Sequence, residues 1–260
     1  MRLRTRTPRR VAVAGVAVVT AATLAACSSG SDEPAGTDAT GGAESSPTLN
    51  DSPPTTPLGD VLLAKGEAPG GGVVEKLDPA ALKPAVDQLV RDQGRQLMED
   101  PACDRVSRLE TTNNHAATDA VMAAVRYKQA EDNDTEHRFG VVMLGRKLDD
   151  FLDRSLYEAC TTSKSTTNPD MQLTMKVTDA PEVPGAQGFR VTSDFVTQTP
   201  DGKKALNRTI VVHGYAHGTT TAVEYNALSD DAAKDPVLPE ADAALNAIYS
   251  AQMDKLAKAQ

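Results

Sequence analysis

Three cysteines and four histidines carry most of the reactive chemistry available to this 260-residue chain. His213 and His217 stand four positions apart, a spacing that on a helix would present two imidazoles to one metal ion. Val211, Val212 and Tyr215 favour a strand instead, and in a strand four residues separate the rings by about 13 Å. A strand residue and a turn residue are therefore expected, and no metal. Asp132-Asn133-Asp134-Thr135-Glu136 imitates part of a calcium loop, but it lacks the glycine and the bidentate glutamate at loop length and reads as a solvated hairpin tip. Asp230-Asp231 reads as a cap or turn, and His115, among Thr111, Thr112, Asn113 and Asn114, as part of a polar loop. No Gly-x-Ser-x-Gly, Ser-x-x-Lys, His-Glu-x-x-His or phosphate-cradling glycine loop occurs, and Gly70-Gly71-Gly72 does not join a strand to a helix. The motifs imply no catalytic residue and no cofactor.

Cys27 differs, because its surroundings specify a reaction. Arg2, Arg4, Arg6, Arg9 and Arg10 precede an uncharged, mostly apolar stretch over 11–23, which is the layout of a signal peptide. Leu24-Ala25-Ala26-Cys27 follows and resembles the lipobox of bacterial lipoproteins, whose cysteine receives a diacylglyceryl thioether before cleavage ahead of it. The apolar run is shorter than the roughly 20 residues of a spanning helix. Arg9-Arg10 suits twin-arginine export, yet Val11-Ala12 stands where that signal has a bulky apolar pair, so the Sec and twin-arginine routes both stay open. Two acyl chains on one cysteine suffice for stable anchoring. The expected organisation is a signal peptide over 1–26, lipidated Cys27 with a disordered linker over 27–59, and one extracytoplasmic domain over 60–260 at the outer face of the cell membrane.

The linker assignment rests on composition: 28–59 is built of Ser, Gly, Asp, Glu, Thr and Pro and has too little apolar surface to offset its ordering entropy. Loss of the five signal arginines leaves 22 basic against 36 acidic side chains, a net charge of −14. A polyanion without a basic stripe is not expected to bind nucleic acid, and its charge serves solubility. With 3% aromatic residues and no Trp, the core must be aliphatic, and aromatic-lined clefts are not expected.

Periodicity then supplies the elements that would position any site. Asp78-Pro79 opens a helix expected over 79–98, with Leu82, Val86, Leu89 and Val90 on one face. Asp100-Pro101-Ala102-Cys103 ends it and starts a further turn. Strands are expected over 118–129 and 137–144 around a hairpin loop at 131–136, then a helix over 145–160 with Leu148, Phe151, Leu152, Ser155, Leu156 and Ala159 on its stripe. A meander follows over 171–177, 188–199, 207–216 and 219–228, in which Met171, Leu173, Met175 and Val177 share a face and His217-Gly218 makes a tight turn. An amphipathic helix over 240–258, with Ala244, Ile248, Ala251 and Leu256 inward, closes the chain. The class is α/β in the segregated α+β sense: an antiparallel sheet of about five to six strands with helices packed on one face.

With Cys27 assigned to lipid, Cys103 and Cys160 remain as an even pair, and an oxidising compartment makes a disulfide between them the expected state. A cysteine after Pro101, the run from Phe151 to Thr161, Gly188-Phe189-Arg190-Val191 and the hairpin from Tyr215 to Val223 together make 78–258 resemble the PknH-like extracellular sensor domain of membrane kinases and small lipoproteins of high-GC Gram-positive bacteria. The resemblance implies an antiparallel sheet flanked by helices with a cleft for an envelope ligand. Family members often carry two disulfides, whereas the domain here has one cysteine pair.

Two roles are compatible with these features. One is a non-enzymatic binding or sensor-accessory lipoprotein, with the membrane as partner through its lipid and an envelope small molecule, lipid or muropeptide as ligand. The other is a wall- or lipid-processing enzyme with a dispersed site. For the first, the expected lining is His213 and Tyr215, which share a strand face opposite Val212, Gly214 and Ala216, together with Phe189 and Phe195 from the neighbouring strand.

Overall fold

The computed structural model describes residues 49–82, 96–116, 120–128, 136–199 and 202–260. The signal segment, Cys27, linker residues 28–48, most of the hairpin loop expected at 131–136 and 83–95 of the helix expected over 79–98 lie outside them.

β-Branched and other apolar residues build the strands, alternating with polar ones most clearly in β5 and β6. They are β1 Val73–Leu77, β2 Val121–Lys128, β3 Glu136–Leu144, β4 Thr162–Lys164, β5 Met171–Asp179, β6 Gln187–Gln198, β7 Lys204–Ala216 and β8 Thr219–Ser229. They form one antiparallel sheet in the order β1-β2-β3-β8-β7-β6-β5-β4. The helices are α1 Leu58–Val61, α2 Pro101–Ala116, α3 Asp149–Leu152, α4 Arg154–Glu158 and α5 Pro239–Ala257. The antiparallel sheet with helices is as expected, but it has eight strands rather than five or six. The additional two are its edges: β1, whose burial does not alternate, and β4, three residues long.

The helices do not share one face, and the connections explain why. β3 lies mid-sheet and β4 at the far edge, so the chain between them must cross a face, and α3 and α4 lie in that crossing. α5 covers the opposite face, burying Leu245, Ile248, Tyr249 and Met253 against Phe139, Val141, Val212 and Val223. It settles close because Gly188 and Gly214 pair beneath it. A Cβ at Gly214 would stand 2.8 Å from Met253 Sδ, and one at Gly188 2.2 Å from the Tyr249 hydroxyl. Of the four residues expected inward, Ile248 and Leu256 are buried, while Ala244 and Ala251 pack at the margin. Gln252 is fully buried instead: it accepts from Leu63 N at 2.9 Å and donates to Val61 O at 3.1 Å, tying α5 to the α1 segment.

On the other face Cys103 and Cys160 form the expected disulfide and join α2 to the end of α4. Asp100 caps α2 by accepting from Ala102 N and Cys103 N, so a 16-residue helix begins there, and the backbone at Thr111 to Ala116 is helical rather than a loop. The helix expected over 145–160 is two helices. The Asp153 carboxylate accepts from Ser155 N at 3.0 Å and caps α4 separately. That break rotates the stripe, burying Tyr157 and Cys160 and exposing Ser155 and Ala159. Pro79–Leu82 is a 3₁₀ turn and Met98 forms an extended bridge with Ser165, so neither described end of 79–98 is α-helical.

The described end of the stretch expected as a linker is bound to the fold. Gly218 N donates to Asn50 O at 3.1 Å, Tyr215 Oη donates to Asp51 Oδ1 at 2.7 Å, and Thr56 N donates to Gln260 O at 2.9 Å. Residues 50–57 are thus a strap on the β7–β8 turn. His217 (φ 46°) and Gly218 (φ 60°) give that turn the left-handed conformation it requires.

Candidate functional site

Strand alternation sends His213, Tyr215, Phe189 and Phe195 to the face crossed by α3 and α4, so three of the expected lining residues become core and Phe195 packs, partly buried, at its margin. His213 is 1% exposed, its ring stacked on Phe189 at 4.8 Å between centroids and edge-on to Phe151 at 4.2 Å, with Tyr157 at 5.0 Å. Neither ring nitrogen has a hydrogen-bond partner among the described residues. Burial alone lowers its pKa to about 3, so the ring is neutral at physiological pH. Tyr215 is 1% exposed, and burial, followed by its bond to Asp51, raises its phenol to about 12. Phe195 pairs with Asn207 and Phe189 with His213, which puts the two phenylalanines six residues apart along β6. His217 sits at the turn beside Asn50, whose Nδ2 is 3.2 Å from its ring. Among the described residues no three His, Cys, Asp or Glu side chains converge as metal ligands.

Glu224 is a further strongly perturbed group. Burial raises its carboxyl to about 7, partly opposed by Asn226 Nδ2, which donates to it at 2.5 Å. It lies on the His213 face, paired with Val211. No hydrogen bond joins it to the imidazole, and the imidazole is sealed from solvent, so the two groups do not form an acid–base pair on a substrate.

The open surface is on the α5 face, over the stretches of β5, β6 and β7 that α5 leaves uncovered. Three adjoining hollows of about 870, 550 and 520 Å³ run along β5, β6 and the start of β7. The register defines their floor: Thr178 lies beside Arg190, Lys176 beside Thr192 and Ile210, and Thr174 beside Asp194 and Arg208. The 230–237 loop and Asp242 and Asn246 of α5 make the wall.

The arginines are fixed in place. Arg208 forms a bidentate pair with Asp194, Nε to Oδ1 at 2.6 Å and Nη2 to Oδ2 at 2.7 Å, and reaches Asp235 at 2.8 Å. The hydrogen bond to Asp194 raises its pKa further. Arg190 pairs with Asp242 and donates to Asn246 Oδ1 at 3.3 Å. Six cationic and six acidic side chains line the three hollows, which makes this a balanced surface on a chain with 27 basic and 36 acidic residues. Such a groove suits ligands bearing hydroxyls, amides and both charges rather than polyanions.

None of the residues expected to line a ligand site lies in the groove; of its lining, Asp230 and Asp231 were read as a cap or turn and Arg190 only as part of a family-like run, yet the signal for the floor was present. The same alternation that places Met171, Leu173, Met175 and Val177 in the core sends Gln172, Thr174, Lys176 and Thr178 to the groove. Comparison with family models, with curated proteins and with solved structures finds no match to this chain.

Proposed function

We propose that the chain is a membrane-anchored extracytoplasmic lipoprotein, lipidated at Cys27, whose folded part is a non-enzymatic binding module of the PknH-like sensor type with its ligand site in the β5–β7 groove. The observation that carries the binding role is the groove itself, an open polar sheet face whose arginines are held by acids from β6, the 230–237 loop and α5. Charged groups already held in place lose little freedom on binding, which favours recognition. The groove offers no apolar channel for an acyl chain, so a polar small molecule or muropeptide suits it better than a lipid. The sealing of His213 supports binding over chemistry, because the imidazole cannot reach a substrate without the α3–α4 cover moving away.

The strap supports the anchored geometry. It docks at the β7–β8 turn, whereas Lys203 and Lys204, at the start of the 13-residue β7, line the widest hollow. The two ends of that strand are about 40 Å apart. A tether entering at the turn leaves the wide end of the groove toward the wall.

A fractionation experiment tests both halves. Cys27→Ala is expected to abolish fatty-acid labelling and to leave the lipidated membrane fraction, as soluble protein or uncleaved precursor. The detergent-extracted wild-type chain is expected to co-sediment with delipidated cell-wall material. Persistent labelling of the variant contradicts the lipobox reading, and wild-type protein that stays in the supernatant contradicts the binding reading.

A further inference from the structure

We infer that the ligand of the groove is an extended peptide bearing a carboxylate that is held by Lys176; the inference rests on the binding role proposed for the groove. Side chains on one face of a strand recur every second residue, roughly 6.6 Å apart, and an extended peptide backbone repeats at the same interval. A peptide lying along β5 therefore meets Gln172, Thr174, Lys176 and Thr178 in step, one polar side chain for each dipeptide. Each dipeptide presents amide N–H and carbonyl groups that need partners when removed from water. The three neutral side chains of this row each supply a donor and an acceptor. The row from 172 to 178 spans about 20 Å, the length of six extended residues. A pyranose or an acyl chain has no such repeat to match.

Charge places the carboxylate. Arg208 and Arg190 are occupied by Asp194, Asp235 and Asp242, so an incoming anion would have to displace a resident one. Lys176 and Lys204 are exposed and have no ion pair among the described residues, and Lys176 is the one that stands in the β5 row along which the peptide would lie. It points from the same face as Thr174 and Thr178 and sits beside Thr192. One ammonium on a face that also carries Thr174, Thr178 and Thr192 fits one carboxylate, whereas a polyanion would also face the six acids of the lining.

The full chain in detergent is titrated with three probes while its amide resonances are followed: a pentapeptide with a side-chain and a terminal carboxylate, its fully amidated counterpart, and an N-acetylated disaccharide without peptide. The carboxylated peptide is expected to shift β5 and β6 amides and to bind about tenfold more tightly than the amidated one, the scale of one charge-assisted hydrogen bond. Lys176→Gln should erase that difference and Lys176→Arg should retain most of it. Equal binding of both peptides, or a carboxylate preference that survives Lys176→Gln, overturns the assignment. If the disaccharide shifts groove amides and neither peptide does, the peptide inference falls and the binding role stands. If no probe shifts the groove and wall material fails to retain the protein, both fall.

Discussion

Replacing Cys103 and Cys160 by serine is expected to lower the unfolding free energy by about 4 kcal/mol. The bridge closes a loop of 57 positions, and in the chain-entropy model its removal returns that freedom to the unfolded chain. The packing adds to the effect. Both sulfurs are buried, at 0% and 1% exposure, in the cluster that also holds Tyr157, Leu173, Phe189 and Val191. With total stabilities of about 5–15 kcal/mol usual for domains, the double variant loses a large share. A lowered urea midpoint with a steeper slope is the expected readout, because the unfolded chain without the bridge exposes more surface. The same shift should follow reduction of the wild type, and a loss below about 1 kcal/mol would show that α2 and α4 hold together without the bridge.

His213→Phe is expected to remove a pH dependence that the wild type shows below neutrality. The folded-state pKa of His213 lies near 3 because burial disfavours the charged ring, against 6.5 for the ordinary side chain. Between those values the unfolded chain binds a proton that the folded chain does not. Stability is therefore complete above pH 6.5 and is lost as the pH falls toward 3. From pH 7 to pH 4.5 the imidazole should account for about 2–3 kcal/mol of that loss. Phenylalanine places a ring among Phe151, Tyr157 and Phe189 without an ionisable nitrogen, so it should hold stability at pH 7 and flatten the slope. Carboxylates such as Asp104, whose pKa is lowered by Arg108 and by backbone N–H groups against an opposing burial effect, contribute equally to both proteins and cancel in the difference. Parallel stability curves for variant and wild type would contradict the assignment.

The sheet was legible where burial imposed alternation. β5 and β6 bury one face more than the other, β7 and β8 are buried on both faces only over the ends that meet at their turn, and the spans expected for all four sit within a few residues of the observed strands. β1 shows no alternation and β4 is three residues long, so their pairing depends on neighbours and not on a local pattern. The faces of β7 were separated correctly: Val212, Gly214 and Ala216 lie under α5, and His213 and Tyr215 lie opposite. What the pattern did not contain was the second layer. Asp153 caps α4 and bends the chain so that Phe151 and Tyr157 close over His213, a tertiary event that turns an apparent pocket lining into core. The strap shows the reverse case. A composition typical of disorder becomes ordered in part because Asn50 and Asp51 meet a turn far along the chain, 164 positions from Asp51 to Tyr215, that offers Gly218 N–H and the Tyr215 hydroxyl. The groove floor was written in the polar half of the same strands and was passed over as ordinary solvent-facing surface.

The claim that the β5–β7 groove is where this protein meets its envelope ligand is tested most directly by site-specific photo-crosslinking in intact cells. A photoreactive side chain at Thr174 or Thr192 on the groove floor is compared with one at Val73, an exposed residue on the distant edge strand. Covalent adducts of a non-lipid envelope component at both groove positions, and none at Val73, are the predicted result. Adducts at Val73 with a silent groove would contradict the account.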